Sequence, residues 1–121
     1  MSRVSPELLE RTKRYASTII RAYVDQPKKR HEVSVLGKQL LRSGTSVAGH
    51  TREANRARSD AEFCSKLGGL LQEADESQLW IELLREDCAI TDDCLTQLHA
   101  ETNELIAIFV TMIARTTGRK S

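Results

Sequence analysis

Residues Gly44 to Thr51, GTSVAGHT, satisfy the phosphate-loop pattern G-x-x-x-x-G-K-[ST] at every position except His50, where lysine belongs. Such a loop works by joining a buried strand to a helix: its glycines let backbone N–H groups wrap the phosphates while the lysine neutralises them. The preceding LGKQLLRS reads as helix, the chain supplies no sheet, and a neutral histidine is a poor substitute for a permanent cation. The pattern therefore predicts no nucleotide site. Metal chemistry fares no better. A di-iron bundle needs Glu-x-x-His on two helices, and the residues three places before His50 and His99 are Val47 and Thr96. His31 falls in a basic turn, and Cys64, Cys88 and Cys94 are odd in number, unclustered and without a C-x-x-C. No catalytic residue, cofactor or metal is expected, and the chain reads as a non-enzyme.

The elements that carry these residues are helices. A chain of 121 residues suits one domain with its own core. Two prolines and an aromatic fraction of 4% favour helix over strand. Apolar residues at steps of three and four predict four segments, at about residues 6–25, 32–57, 60–87 and 92–115. Leu8, Leu9, Tyr15, Ala16, Ile19, Ile20, Tyr23 and Val24 form the first stripe, with Ser5 as N-cap and Pro6 at the first helical position. Val35, Leu36, Leu40, Val47, Ala48 and Ala54 mark the second. Ser59 and Glu62 form a capping box before the third, and Thr91 is expected to cap the fourth, whose stripe includes Leu105, Phe109 and Val110. Short turns between four amphipathic helices make an all-α, antiparallel up-down-up-down bundle the simplest arrangement. The sequence shows no membrane span and no signal peptide, so a cytoplasmic protein with no membrane partner is expected.

Ser43, Gly44, Ser46, Ala48 and Gly49 are small, and a helix-interior glycine costs about 1 kcal/mol against alanine. Close packing of this stretch against a neighbouring helix, with Gly68 and Gly69 playing the matching part on the third helix, is the expected reason. The net charge of +1 divides unevenly: residues 1–58 carry +8 and residues 59–121 carry −7. Oppositely charged halves attract within a chain or between chains.

"QLLRSGTSVAGHTREA", "EFCSKL", "EADES" and "LWIELL", in this order and spacing between Gln39 and Leu84, closely resemble the four-helix-bundle family that includes proteins encoded in intervening sequences of bacterial 23S ribosomal RNA genes. A distant branch is the accessory protein of diversity-generating retroelements, which binds a reverse transcriptase and nucleic acid. The resemblance implies a ring-shaped homopentamer with no established enzymatic activity. The chain departs from the family at His50, where asparagine is frequent, and at Gly68 and Gly69, where bulkier residues are usual.

Arg42, Glu53, Glu73 and Glu76 match charged positions of that family. Folding the second helix onto the third about the Arg58/Ser59 turn brings Arg42 beside Asp75, within reach of Glu73 or Glu76. If that ion pair is half buried, removing one partner costs about 3 to 5 kcal/mol; two solvated faces are the alternative. The same topology gathers Arg3, Arg11, Lys13, Arg14, Arg52, Arg56, Arg58, Arg115, Arg119 and Lys120 at one end of the rod, with fewer acids, Glu7, Glu10, Glu53, Asp60 and Glu62. Two kinds of partner stay open. One is further copies of this chain or another protein, marked by an apolar strip left outside the first or fourth helix and by Leu79 and Trp80. The other is RNA or DNA, or an enzyme acting on it, reached through Arg11, Arg14, Arg52, Arg56 and Arg58.

Overall fold

In the computed structural model, which describes residues 2–118, four helices follow one another: α1 Pro6–Asp25, α2 His31–Asn55, α3 Asp60–Glu86 and α4 Asp93–Gly118. The starts follow from local chemistry. Ser5 Oγ accepts from the Leu8 N–H at 3.1 Å, with Pro6 as the first helical residue. Ser59 Oγ accepts from the Glu62 N–H at 3.0 Å, while the Glu62 carboxylate reaches back to the Arg58 N–H at 3.1 Å, one residue before the position a standard capping box uses. Asp92, not Thr91, caps α4, accepting from the Leu95 N–H at 2.9 Å. A carboxylate there meets the positive end of the helix as well as its free N–H groups, which a threonine hydroxyl cannot match. α2 stops at Asn55 because Arg56 and Ala57 tighten into i→i−3 bonds with Glu53 and Ala54.

Cross-helix pairs fix the directions. Arg3 bonds Asn55 and Ile19 meets Gly44; Lys66 pairs with Glu53 and Arg42 with Glu76; Gln78 bonds Asn103 and His99 bonds Glu82. In each set one number rises as the other falls, so neighbouring helices are antiparallel. The α1 backbone runs close to α2 along its length and to α4 only sparsely, and it stays apart from that of α3, which α1 reaches only across the core. The helices therefore sit at the corners of a square, with an open seam between α1 and α4.

The core is filled by Ile19, Leu67, Leu70, Ile81, Leu84, Leu95, Leu105 and Phe109, all fully buried. Each such side chain contributes roughly 1.5–3 kcal/mol. Four residues assigned to inner stripes lie outside instead: Ile20, Val24, Val35 and Val110. Ile20 and Val110 directly follow the buried Ile19 and Phe109, and all four lie on flanks left open to solvent.

Across the middle of this core runs a layer of hydroxyls, one from each helix. Tyr15 Oη and Thr102 Oγ1 are 2.7 Å apart, as are Ser43 Oγ and Ser77 Oγ, and all four residues are buried. Thr102 donates to the Leu98 carbonyl at 2.6 Å, so the Tyr15 O–H donates to Thr102; Ser77 likewise donates to the Glu73 carbonyl at 2.9 Å and accepts from Ser43. Burial pushes the Tyr15 phenol above its ordinary range, opposed by its contacts with Thr102 and Ser77. A satisfied polar layer tolerates few other alignments, because sliding one helix by a turn would orphan its partners.

Candidate functional site

GTSVAGHT lies wholly inside α2. Its backbone N–H groups are consumed by the helix, and its hydroxyls turn onto the helix's own carbonyls: Thr45 to Leu41 at 2.7 Å, Ser46 to Arg42 at 2.8 Å and Thr51 to Val47 at 2.7 Å. Nothing is left to wrap a phosphate. The small residues do not share one role either. A methyl group at Gly44 would lie 2.8–3.0 Å from Ile19 side-chain atoms, so this glycine is a close contact with α1. At Gly49, Gly68 and Gly69 a methyl group would meet nothing within 4 Å. The expected match between the glycines of α2 and α3 is therefore corrected: these three face open surface, because the α2–α3 contact runs through Ser43 and Ser77 instead. Ala48 is half-buried. A further close approach, unforeseen from the sequence, is Gly37 beneath the Tyr23 ring, where a methyl group would stand 3.3 Å from the ring.

Beside this stretch runs a ladder of charge between α2 and α3. Arg42 Nη1 lies 3.4 Å from Glu73 Oε2 and Nη2 lies 3.0 Å from Glu76 Oε1. His50 stands 3.7 Å from both Glu53 and Glu73, and Lys66 reaches Glu53 at 3.2 Å. Glu53 thus belongs to Lys66 and His50 rather than to Arg42, and the Lys66 hydrogen bond holds its carboxyl below the usual range. Arg42 is 54% exposed, so the cost expected for a half-buried pair does not apply, although Glu73 is only 14% exposed. Water screens the guanidinium, and such a pair contributes about 1 kcal/mol or less.

The basic end divides into spent and free cations. Arg3 pairs with Asp60 at 2.8 Å, donates to the Ala57 carbonyl and stacks over Phe63 at 5.5 Å. Arg11 is held by Glu101 and Glu104 at 2.7 and 2.9 Å, which raises its already high pKa. Arg58 meets Glu62 at 3.7 Å. Arg14, Arg52 and Arg56 are exposed and have no carboxylate within 4 Å among the described residues. Arg119 and Lys120 lie outside the described residues.

The α1–α4 seam holds shallow cavities. One of about 420 Å³ is lined by Arg11, Arg14, Tyr15, Thr18, Leu98 and Glu101, and one of about 390 Å³ by Leu8, Arg11, Ile108 and Met112. Arg11 stands between them as a strut. Elsewhere Leu79 is 46% exposed, while Trp80 is half-buried with an Nε1 that has no hydrogen-bond partner among the described residues. Cys88 is buried, and burial chiefly, then Asp92 and Asp25, raises the Cys94 thiol. Among the described residues no group of three or more His, Cys, Asp and Glu is placed to hold a metal, and no helix is long and apolar enough to cross a membrane.

The hydroxyl layer escaped sequence reasoning because Tyr15 reads as part of an apolar stripe and serine is ordinarily a surface residue. Its signal was periodic: Ser43, Ser77 and Thr102 fall where the helical spacing calls for core.

Comparison with known proteins agrees with this architecture. A solved structure described as a protein of unknown function from the S23 ribosomal protein family of Bacteroides thetaiotaomicron superposes with a TM-score of 0.77 at 32% identity, covering 87% of this chain and 96% of that one. No curated protein matches. The family model for the 23S rRNA-intervening sequence protein matches residues 6–111, which takes in all of α1, α2 and α3 and most of α4. The chain belongs to the 23S rRNA-intervening sequence protein family.

Proposed function

We propose that this protein is a non-enzymatic, self-associating scaffold, a bundle whose outer faces join copies of itself into a ring, five by the resemblance of its central helices. The observation that carries this reading is the apolar surface left outside. Val24 is 67% exposed and Ile20, Leu79 and Val110 are each nearly half exposed, although every helix has a well-filled inner face. Large aliphatic side chains on the flanks of a stable bundle suit contact with another protein surface. The reading fits where the polar groups are committed: the hydroxyls of GTSVAGHT donate to interior carbonyls of their own helix, and His99 bonds Glu82 at 2.9 Å. Light scattering at several concentrations tests it, with a stable multiple of 13.6 kDa expected and a monomer at every concentration contrary to it.

A second reading, a nucleic-acid-binding accessory protein, draws on Arg14, Arg52 and Arg56, which carry charge without a counter-ion. In a ring with all copies pointing one way, these cations would repeat around one face and attract a phosphate backbone without regard to sequence. Binding of RNA and of DNA across a salt series separates the readings. A steep loss of affinity with salt supports the second, and a weak, flat response removes it.

A further inference from the structure

α1 and α3 occupy diagonally opposite corners of the bundle and run in the same direction. Their outward faces, turned away from each other, are complementary. On α1, Ile20 and Val24 stand exposed one turn apart, with the exposed Arg21 beside them. Arg21 makes only a 3.3 Å bond to Thr18 Oγ1 and has no carboxylate within 4 Å among the described residues. On α3, the exposed Leu79 lies one turn from Asp75, also exposed and without a cation within 4 Å among the described residues.

The heights agree as well as the signs. Counting about 1.5 Å per residue from the end where both helices start, Arg21 and Asp75 each stand at about 22 Å, and Val24 and Leu79 at about 27 and 28 Å. A copy set beside another without tilt would bring valine to leucine and arginine to aspartate together. We infer that the outward face of α1 in one copy docks on the outward face of α3 in a second copy, an interface of parallel helices with Val24 on Leu79 and Arg21 paired with Asp75. This rests on the self-association proposed above and names its surfaces. The two patches are different and lie on opposite sides of one chain, so the contact is heterologous: each copy receives one neighbour and offers itself to the next, and the chain of contacts closes as a ring when the rotation allows. It also gives work to the oppositely charged halves of the sequence. α3 supplies an acid from the negative half and α1 supplies an arginine from the positive half.

Two charge-swapped proteins and their combination test the arrangement. The first carries Arg21→Glu, making both faces acidic at that height; the second carries Asp75→Lys, making both basic; the third carries both changes in one chain. Both sites are exposed, and circular dichroism checks that every variant keeps the helical fold. At moderate salt each single change is expected to shift the mass toward the 13.6 kDa monomer, while the doubly changed chain re-forms larger particles, since every contact in a ring of any size then pairs opposite charges again. An interface between identical faces would not give this rescue. If the wild-type protein assembles and both single variants assemble equally well, or if the doubly changed chain keeps its helical fold but stays monomeric, the α1-on-α3 contact is wrong while self-association stands. If the wild-type protein is itself monomeric, both fall.

Discussion

Replacing glycines by alanine one at a time separates the two roles that the structure assigns to them. In a helix interior the exchange is worth about 1 kcal/mol in favour of alanine when nothing else changes. At Gly68 and Gly69 nothing lies within 4 Å of the new methyl group, so the full gain is expected. At Gly44 the methyl would stand 2.8 Å from Ile19 Cγ1, 2.9 Å from Cδ1 and 3.0 Å from Cγ2. Two of these atoms are anchored at a branched Cβ and cannot swing away, and Ile19 is fully buried, so overpacking costs about 1–3 kcal/mol. Gly44→Ala should therefore lose up to about 2 kcal/mol net where Gly68→Ala gains about 1. Urea unfolding with protomer concentration held fixed reads the difference as midpoints moving in opposite directions. Adding Ile19→Ala sharpens the test: the alanine at 44 should then partly fill the cavity, so that the double variant loses less than the two single losses together. A Gly44→Ala protein stabilised as much as Gly68→Ala would refute the close α1–α2 contact.

Tyr15 predicts an alkaline limit. Its folded pKa lies above its unfolded value, so in the unfolded chain it releases its proton first; stability is full below about pH 10 and falls as pH rises from there toward the folded value. Thermal melts from pH 8 to 11 should show a shallower decline for Tyr15→Phe, and parallel curves would contradict the assignment. Arg42→Ala should cost about 1 kcal/mol or less, because the guanidinium is largely in water; a loss of several kcal/mol in urea unfolding would mean the pair is buried in the assembled protein. Glu101→Gln should lower stability by about 1 kcal/mol and Glu104→Gln by less, since Glu101 takes two of the Arg11 hydrogen bonds and is the less exposed of the two. Equal effects from the two would mean Arg11 does not brace the seam as described.

The fold was legible because its signals are local. Ser5 and Pro6 start α1 as their positions foretell, and the spacing of Leu67, Leu70, Ala74, Ile81 and Leu84 sets the buried face of α3. What sequence could not give was the assignment of each flank. Ile20 and Val24 fit a helical stripe as well as Ile19 does, and only the position of α2 decides that Ile19 meets Gly44 while its neighbours face outward. The glycines misled for the same reason. A glycine in a helix signals a missing side chain, which suits a tight contact at Gly44 and a bare surface at Gly68 alike. Charge pairing across the helices was partly readable: the antiparallel register brings Arg42 near Glu73 and Glu76, yet how far water reaches it depends on the neighbours of the finished bundle.

The mass of the wild-type particle in solution tests self-association most directly. Native mass spectrometry at micromolar concentration is expected to show one dominant assembly that is a whole multiple of 13.6 kDa, five by resemblance, and that loosens as salt rises. A single 13.6 kDa species under the same conditions, with the helical fold intact, would contradict the scaffold and the ring together.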